Sequence, residues 1–381
     1  MMISPFNVFP PYWGGAARTL GILRGLLESE EVVVHLVYPD RKQVEGDHSN
    51  NPFDYITPED FKGTLTVHSV PAKSRISQLV NPRIFLTALK ILRRKKGALI
   101  WGEFTWSGLS ACLLSFFTRN PMILDEHNIE HVRFKRFGSF LYPIIKIVEY
   151  ITWIVARFIL VVSSTDRQFL PKFIKSKAIV VPNGYDSSKF KPNPSQRTAI
   201  REAHGLAQSS KLLLFFGKLD YYPNYDAINV IKTHLAPNLS ETVDKILIVG
   251  SGLTDASELP KNCAYLGPVQ EIADYINAVD VVIVPLRSGG GTRLKIIEAL
   301  ACGVPVVATG IGAEGLTDDK FTGLLLVSRD DDWKEFASLV RQALEMRAAG
   351  DEKRAILEQV RVHSWKSISR ILNLVLQRFG E

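Results

Sequence analysis

A glycine-rich loop that leads into a predicted helix is the strongest chemical signal in the sequence. Three glycines, Gly289 to Gly291, follow the apolar run Val281–Val284, which predicts a buried strand. Glycine lets the backbone approach a ligand closely, and the free N–H groups at the start of a helix favour a phosphate. Arg293 and Lys295, in the first turn of the predicted helix, add positive charge at the same place. The pattern therefore predicts a phosphate site.

Glu298 lies one turn further along the same predicted helix. Its carboxylate is suited to accept hydrogen bonds from two adjacent hydroxyls, such as those of a ribose. A simpler interpretation is a glycine turn followed by an ion pair between Lys295 and Glu298 at i, i+3. Spacing alone leaves both interpretations open.

Polar residues also follow other predicted strands. His127 and Glu130 come after Met122–Asp125, a strand whose end should lie at a cleft. A single histidine often has a structural role, and Glu130 is alternatively an acidic residue at a helix N-terminus. Lys218 follows the apolar run Lys211–Phe216, where an ordinary surface lysine is the alternative.

A second pair of glycines lies near the start of the chain. Gly14 and Gly15 open a predicted helix after Pro10 and Pro11, and a tight turn alone would also explain them. Arg18, one turn into this helix, faces either a phosphate or the solvent. Neither interpretation is favoured by these residues alone.

The elements that must position these residues alternate along the chain. Apolar strand-like runs alternate with helical patterns, which favours parallel sheets with helices on both faces. The predicted strands are Val32–Tyr38, Thr64–Val70, Ala98–Trp101, Met122–Asp125, Phe158–Ser163, Ala178–Val181, Lys211–Phe216, Lys245–Val249, Ala264–Leu266, Val281–Val284, Val304–Ala308 and Gly323–Leu326. Before the first glycine turn only Met1–Ser4 is available, which indicates a short first strand or a late start.

Composition and length limit the class of protein. A chain of 381 residues suits two α/β domains, and 46% hydrophobic and 22% charged residues are normal for a globular protein. Cys112, Cys263 and Cys302 are few and widely spaced, so a reducing compartment is expected. The net charge of +7 favours an anionic partner. Nucleic acid is not expected, because the excess is diffuse and lacks interleaved aromatic residues.

Neither export nor membrane insertion is expected. The first residues have no basic n-region and no sustained apolar core. The most apolar stretch, Leu141 to Ser163, is interrupted by Lys146, Glu149 and Arg157, whereas a spanning helix needs ~20 nearly uncharged residues. The stretch therefore predicts a buried helix that runs into a buried strand.

Motifs across nearly the whole chain, in the same order, resemble the GT-B retaining glycosyltransferases of the glycogen-synthase-like and mannosyltransferase-like group. The strongest match is the donor-binding signature Val279–Leu316. The other matches are Phe9–Arg18, Leu124–Glu130, Val180–Asp186, Phe215–Asn224, Leu247–Gly252, Tyr265–Val269 and the helix that begins at Trp365. The resemblance implies an α/β fold of two Rossmann-like, doubly wound domains that face each other across a cleft.

The same resemblance implies the domain organisation. The predicted N-terminal domain spans residues 1–184 and is completed by a C-terminal helix, 364–381, that crosses back to it. The predicted C-terminal domain, residues 185–363, binds the nucleotide sugar. The boundary falls within Pro182–Pro194, where the content of proline, asparagine and serine is typical of a linker.

Roles for individual residues also follow from the resemblance. The predicted catalytic residues are His127, which positions the donor sugar, and Lys218, Arg293 and Lys295, which stabilise the departing diphosphate. The predicted donor-binding residues are Gly14, Gly15, Arg18, Gly217, Val269, Gly290, Gly291, Thr292 and Glu298, with Glu298 on the nucleotide ribose. Glu130 is a weaker candidate for contact with the acceptor.

Two positions depart from the family pattern. The family often has two glutamates with seven residues between them; Glu298 matches the second, but Gly290 stands at the position of the first. Because the first glutamate usually contacts the donor sugar, the sugar is not predicted. The second basic residue that often follows Lys218 is also absent, and Asn224 lies near its place.

Two charged clusters have simpler explanations than ligand binding. The run Asp330–Asp332 precedes the helical pattern Trp333–Leu339, so it predicts a helix N-cap and no metal site. Arg93–Lys96 ends a helical run and is typical of a solvated helix C-terminus. It is alternatively part of a basic rim that touches anionic lipid, together with Arg133, Lys135 and Arg136.

The sequence thus predicts a cytoplasmic enzyme that moves a sugar, with retention, from a nucleotide-diphosphate sugar to a glycan, a lipid-linked sugar or a small molecule. No cofactor and no metal are expected, and peripheral contact with an anionic membrane is an open possibility. The enzymatic alternative is a sugar-nucleotide epimerase on the same architecture. The non-catalytic alternative is a partner subunit that binds a sugar nucleotide; Gly290 leaves it open, and the set Arg293, Lys295 and Glu298 argues against it.

Overall fold

The computed structural model of the chain describes residues 1–9, 11, 13–40, 61–71, 81–95, 97–316, 324–346 and 357–380. The chain divides into two compact units. The first comprises Met1–Asn183 and Trp365–Glu381, and the second comprises Gly184–Ser364. Lys96 and Gly323, which belong to segments predicted above, lie outside the described residues.

A seven-stranded parallel sheet forms the centre of the first unit, in the order β3-β2-β1-β4-β5-β6-β7. Its strands are β1 (Met2–Ile3), β2 (Val33–Asp40), β3 (Thr64–Pro71), β4 (Ile100–Glu103), β5 (Met122–Glu126), β6 (Phe158–Val161) and β7 (Ala178–Val180). The first strand is short but central, because it pairs with both β2 and β4. The strand order reverses between β1 and β4, and ligands of open α/β sheets bind at such a switch point.

Helices connect these strands, and a C-terminal helix, Trp365–Gly380, returns to the same unit. The connecting helices are α1 (Gly14–Leu26), α2 (Pro82–Leu92), α3 (Phe104–Thr118), α4 (Glu130–Arg136), α5 (Tyr142–Val155) and α6 (Ser164–Phe169). The C-terminal helix packs closely on α1: a Cβ at Gly21 would lie 2.0 Å from the Trp365 ring. Ile368, Leu372 and Val375 of this helix lie on one face and are buried. The predicted crossing of this helix to the first domain is confirmed.

A six-stranded parallel sheet forms the second unit, in the order β10-β9-β8-β11-β12-β13. Its strands are β8 (Leu212–Phe216), β9 (Lys245–Val249), β10 (Cys263–Gly267), β11 (Val281–Val284), β12 (Val306–Thr309) and β13 (Leu325–Ser328). Its helices are α7 (Pro194–Ala203), α8 (Tyr222–Val230), α9 (Ala236–Asn238), α10 (Ile272–Ala278), α11 (Leu294–Ala301) and α12 (Trp333–Met346). Here the switch point lies between β8 and β11, so both units have the predicted Rossmann-like, doubly wound topology.

Local sequence explains most of these elements. Strands covered on both faces of a parallel sheet are continuous apolar runs, and every residue of β8 and β11 is buried. At the start of α12, Asp332 Oδ1 accepts a hydrogen bond of 3.0 Å from the Glu335 N–H. The predicted N-cap within the Asp330–Asp332 run is therefore confirmed.

The most apolar stretch of the sequence differs from its prediction in one respect. Most of β6 is buried as expected, but α5 is not a buried helix. Trp153 on one side of α5 is fully buried, whereas Ile147 and Ile154 on the other side are 61% and 57% exposed. Within the described ranges, no helix has the length and apolar content needed to cross a membrane.

Candidate functional site

Three ionisable side chains meet at the carboxyl edge of the first sheet. Glu103 ends β4, Asp125 lies near the end of β5, and His127 follows β5. His127 Nε2 lies 2.8 Å from Glu103 Oε2 and 3.3 Å from Asp125 Oδ2. All three residues are buried. The structure thus gives the predicted histidine two carboxyl partners at an edge where ligands bind.

Arg18, on α1, completes this cluster. Its Nη2 donates to Asp125 Oδ1 at 2.6 Å and its Nε donates to Asp125 Oδ2 at 2.9 Å, which makes a bidentate pair. Its Nη1 donates to the Val181 carbonyl and to Asn183 Oδ1, both at 3.0 Å. Arg18 is only 1% exposed. This geometry favours a positioning role for Arg18 and does not support the predicted contact with a phosphate or with solvent.

Burial and pairing together set the charges of the cluster. Burial and the nearby Asp125 raise the pKa of Glu103, against the opposing effect of His127. Burial also acts to raise the pKa of Asp125, but Arg18 and His127 hold it at about 2. Burial acts to lower the pKa of His127, yet its contacts with Asp125 and Glu103 leave that pKa raised. An imidazolium beside an ionised Asp125 is therefore favoured.

Two buried atoms of the cluster, His127 Nδ1 and Glu103 Oε1, have no hydrogen-bond partner in the part of the chain that the structure describes. The His127 ring meets the Phe104 and Phe6 rings edge to face, at centroid distances of 5.0 Å and 6.1 Å. Phe104 has a φ of 67°, an unusual conformation for a bulky residue that is often found at functional sites. Because buried polar atoms are nearly always hydrogen-bonded, Nδ1 and Oε1 are candidates for contact with a polar ligand.

Sequence reasoning found His127 but missed the residues around it. Glu103 closes a short apolar strand, and a carboxyl group at a strand end was the one available signal. Thr19 Oγ1 donates to Glu103 Oε2 at 2.9 Å, and nothing in the local pattern marks this threonine. Phe104 and Asp125 were likewise not singled out.

Gly14 and Gly15, predicted to meet the donor phosphates, begin α1 with Trp13 at the N-cap. The predicted helix start is confirmed. Their predicted contact with phosphate stays a prediction.

Glu130 has the helix-terminal position that was the alternative to acceptor contact. It is the first residue of α4, is fully buried, and pairs with Arg133 at 2.6 Å. Its backbone N–H donates to Glu149 Oε1 at 2.6 Å. These contacts fit the helix-terminal role, and the predicted contact of Glu130 with the acceptor stays a prediction.

Lys295 lies at the switch point of the second sheet. Its Nζ donates to the Phe216 carbonyl at 2.6 Å and to Asn224 Oδ1 at 3.2 Å. Asn224 Nδ2 in turn donates to the Lys218 carbonyl at 2.8 Å. Gly217 has a φ of 147°, and a Cβ there would lie 2.9 Å from Asn224 Nδ2. Lys295 and Gly217, which were predicted separately as site residues, therefore lie close together, and Asn224 holds the lysine in place.

The glycine loop follows β11 and leads into α11. Arg293 is the N-cap of this helix, not a residue of its first turn. Its Nη1 donates to the Gly291 carbonyl at 2.6 Å and also to the Gly290 carbonyl. A Cβ at Gly289 would lie 2.7 Å from Arg293 Nη2, so a side chain there would displace the guanidinium. In this structure Arg293 stabilises the glycine loop through these hydrogen bonds. The contact of Arg293 with phosphate stays a prediction.

The other donor-side candidates follow strand ends of the second sheet. Lys218 comes after β8; its side chain is 57% exposed, and Nζ lies 3.4 Å from Asp220 Oδ2. Val269 comes after β10 and is half-buried, whereas Thr292, just before α11, is buried. This exposure is compatible with the predicted contact of Lys218 with phosphate and equally with an ordinary surface lysine. The role of Lys218 therefore stays a prediction.

Lys295 and Glu298 are both shifted toward their neutral forms. Burial, with repulsion from Arg293, lowers the pKa of Lys295 to about 7. Burial raises the pKa of Glu298 to about 7, although Lys295 opposes the shift. Among the described residues, no ion pair links the two, and the Glu298 carboxylate accepts no hydrogen bond. The simple Lys295–Glu298 pair considered above is therefore wrong.

Glu103, Asp125 and His127 lie close enough together to be considered as metal ligands. However, both oxygens of Asp125 accept hydrogen bonds from Arg18, and His127 Nε2 already faces Glu103 and Asp125. A guanidinium at this distance would repel a metal ion. The residues fit a hydrogen-bonded ion-pair cluster better than a metal centre.

Comparisons with known proteins agree with this architecture. The family model described as Glycosyltransferase Family 4 matches residues 13–189, and the model described as Glycosyl transferases group 1 matches residues 210–346. The structure of Anabaena HepE in complex with UDP and glucose superposes with a TM-score of 0.73, at 16% identity, over 99% of each chain. Sucrose-phosphate synthase from Thermosynechococcus elongatus superposes with a TM-score of 0.75, at 17% identity, over 100% of this chain and 98% of that chain.

Relatives found by sequence match only part of the chain, as one example shows. A D-inositol 3-phosphate glycosyltransferase from Geodermatophilus obscurus is 28% identical over 200 residues, which cover 47% of this chain and 43% of the relative. The chain spans about half the length of the curated relatives it matches.

The fold, with its two doubly wound units, is that of the GT-B class. Because the two family models match in series along most of the chain, it belongs to the group 1 glycosyltransferases.

Proposed function

We propose that this chain transfers a sugar from a nucleotide-diphosphate sugar to an acceptor hydroxyl, with retention at the anomeric carbon. The observation that carries this proposal is the arrangement at the β8–β11 switch point. There Lys295 is held against the strand end beside Gly217, and the glycine loop opens the helix that carries it. Backbone N–H groups and a cation at a helix start favour a diphosphate.

The second unit binds the nucleotide in this proposal. Lys218, Arg293 and Lys295, with the N–H groups of Gly291 and Thr292, stabilise the diphosphate as its bond to the anomeric carbon breaks. For Arg293 this requires the guanidinium to exchange its loop carbonyls for phosphate oxygens. Glu298 accepts hydrogen bonds from the ribose hydroxyls, and Gly217, Val269 and Gly290 allow the backbone to approach the nucleotide.

The first unit acts on the sugar and the acceptor. His127 contacts the donor sugar, and Arg18 acts indirectly by fixing Asp125 beside that histidine. The N–H groups of Gly14 and Gly15 contact the diphosphate. The bond between the anomeric carbon and the diphosphate breaks, the acceptor oxygen forms its bond on the same face, and the departing diphosphate takes the hydroxyl proton. The acceptor is a glycan, a lipid-linked sugar or a small molecule.

We further propose that no divalent metal is required. Protein cations and helix-end dipoles supply the stabilisation that a metal would otherwise give to the departing diphosphate. Initial rates should be the same with and without EDTA. Complete loss of activity in EDTA, restored by magnesium or manganese, would contradict this assignment.

A ligand screen tests the central proposal. A ligand that binds only the folded state raises its apparent stability, so one class among UDP-, GDP- and ADP-sugars should raise the melting temperature. Lys295→Met should abolish the shift, whereas Lys366→Met, at an exposed lysine of the C-terminal helix, should not. No shift with any sugar nucleotide would refute the proposal. Detection of a glycosylated product then separates transfer from epimerisation and from binding alone.

We propose the cytoplasm as the site of this reaction. Cys112, Cys263 and Cys302 are buried, and none of them forms a disulfide. Free thiols persist in a reducing compartment. Peripheral contact with a membrane is compatible with this location.

A further inference from the structure

The outer side of α5 presents an apolar stripe to the solvent. Ile144, Ile147, Ile151 and Ile154 are each between 46% and 61% exposed. They recur every three or four positions, so they lie on one face of the helix. The buried side of the same helix carries Ile145, Glu149, Thr152 and Trp153, so the strongly apolar face of α5 is its outer one, the reverse of an ordinary surface helix.

Further exposed apolar residues lie before α5 and on the neighbouring α3. Phe140, just before α5, is 86% exposed. α3 packs against α5, and its Leu113, Phe116 and Phe117 are exposed as well. Monomeric proteins rarely expose large contiguous apolar surfaces unless they bind something there.

Hydrogen bonds on the inner side of α5 keep the stripe turned outward. Glu149 accepts hydrogen bonds from the backbone N–H groups of Glu130 and His131, at 2.6 Å and 3.1 Å. Trp153 Nε1 donates to Glu126 Oε1 at 2.8 Å. Rotating the isoleucines inward would break these buried bonds, so their exposure is a fixed property of the fold.

In residues 81–183, which include this stripe, the negatively charged side chains are buried and the positively charged ones are not. Every carboxylate between residues 81 and 183 is buried, namely Glu103, Asp125, Glu126, Glu130, Glu149 and Asp166. None of the described lysines and arginines of the same segment is buried. Lys135, Arg136, Lys146 and Arg157, on or next to α4 and α5, are all exposed. Within residues 81–183, the described surface therefore carries positive charge and no exposed carboxylate.

We propose that the α5 face docks onto an anionic lipid surface. The isoleucine stripe enters the boundary between headgroups and acyl chains, and the basic side chains contact the headgroups, as in interfacial amphipathic helices. Charge complementarity selects this occupant. A second copy of the chain would bring the same basic residues against each other, and a neutral apolar partner would leave them without counter-charges.

Vesicle co-sedimentation of the full chain tests this proposal. The wild-type protein should sediment with vesicles of phosphatidylcholine and phosphatidylglycerol, and far less with phosphatidylcholine alone. Ile147→Asp/Ile151→Asp should lower the partition coefficient at least about tenfold. Leu374→Asp, on the C-terminal helix, should not, although Leu374 is as exposed as Ile147, 60% against 61%.

A charge series gives a second, independent measurement. Lys135→Gln/Lys146→Gln should lower partitioning onto the anionic vesicles by about 25-fold, roughly fivefold for each basic residue near the surface. Lys366→Gln/Arg370→Gln removes two exposed charges from the C-terminal helix and should have little effect. Added salt should weaken binding in the same direction.

Three results would overturn the proposal. These are no binding to anionic vesicles, equal binding to both kinds of vesicle, and a change from dimer to monomer on Ile147→Asp, which would show that the face pairs with a second copy. Melting-temperature shifts with sugar nucleotides should be unchanged in all these variants. Failure of lipid docking is therefore distinguishable from failure of the proposed activity.

Discussion

Glu298 illustrates how a single residue can be held ready for a ligand. It lies on α11 one turn after Lys295, but the lysine donates its hydrogen bonds to Phe216 and Asn224. Burial raises the pKa of the glutamate to about 7, because no hydrogen bond from the described residues stabilises its charge. Hydroxyl groups that donate to this carboxylate would lower its pKa, so nucleotide binding and ionisation of Glu298 should be coupled.

Glu298→Ala should weaken binding of the free nucleotide diphosphate while leaving the fold intact. A hydrogen bond to a charged group contributes about 1.5–3 kcal/mol, so the dissociation constant should rise roughly 10- to 150-fold. Isothermal titration calorimetry measures this change. Glu202→Ala, at an exposed position on α7, is the control and should bind normally. Unchanged affinity in the Glu298 variant would remove the ribose role.

His127→Ala should reduce turnover on the order of 10², the scale for loss of one positioned donor, with little effect on affinity for the nucleotide alone. The reason is that His127 is assigned to the sugar and not to the base. Steady-state kinetics and calorimetry on the same variant separate the two effects. His234→Ala, where the ring stacks on Trp333 in the second unit, should keep normal turnover. Normal turnover in the His127 variant would reject its role.

Residue types with a local signature could be predicted, and their partners could not. The glycine loop, Lys295 and His127 stand beside predicted strand ends, so the sequence itself marks them. Asp125 and Arg18 are far apart in the chain and form their pair only because the fold brings β5 and α1 together. For the same reason Arg18 was predicted at a phosphate or in solvent, although it is buried.

At the scale of elements, α1 is the helix on which the first site depends. It follows the central strand, begins at the two glycines, and carries both Arg18 and Thr19 toward the carboxyl groups of β4 and β5. Its other side packs on the C-terminal helix at Gly21. The position of Asp125 and Glu103 therefore depends on contacts along the whole of α1.

Arg18→Met should destabilise the first unit, because it leaves Asp125 buried without its counter-charge. Breaking one partner of a buried ion pair costs about 3–5 kcal/mol. Urea unfolding measures the loss, and Arg370→Met, at an exposed arginine, should change stability little. If Arg18 instead bound phosphate directly, the variant would keep its stability and lose nucleotide affinity.

Elements were predicted well where both faces of a strand are covered. β8 and β11 are continuous apolar runs, and such runs admit few other interpretations. The prediction for α5 was wrong about burial, because an apolar sequence does not reveal whether the second face of a helix meets protein or solvent. The buried contacts of residues such as Glu149 and Trp153 determine which side of α5 faces inward, and they are visible only in the folded structure.

Across the whole molecule, several carboxyl groups carry raised pKa values. Burial raises the pKa of Glu149 to about 8 and that of Glu298 to about 7. Such groups bind more protons in the folded state than in the unfolded state, so stability falls as pH rises between the two pKa values. Two other groups act in the opposite sense, because burial lowers the pKa of His131 to about 4 and that of Lys295 to about 7. The net pH profile is a balance, and single groups must be isolated by substitution.

Glu149→Gln isolates the largest of these carboxyl effects. Glu149 contacts the His131 ring and the backbone N–H of Glu130. The Thr105 hydroxyl lies between Glu149 and Glu126. Lys146, on the same helix as Glu149, is a nearby positive charge that also acts on His131. The ordinary pKa of Glu149 is 4.5 and its folded pKa is about 8. The stability that wild type has relative to the glutamine variant should therefore decrease between about pH 5 and pH 8, by on the order of 1–3 kcal/mol.

Urea unfolding of both proteins across this range measures the difference in the free energy of unfolding. The test depends on how this difference changes with pH, since glutamine also alters the hydrogen bonds to α4. Glu345→Gln, at an exposed position on α12, should give a constant difference. A constant or increasing difference for Glu149 would show that the N–H groups of Glu130 and His131 keep this carboxylate ionised.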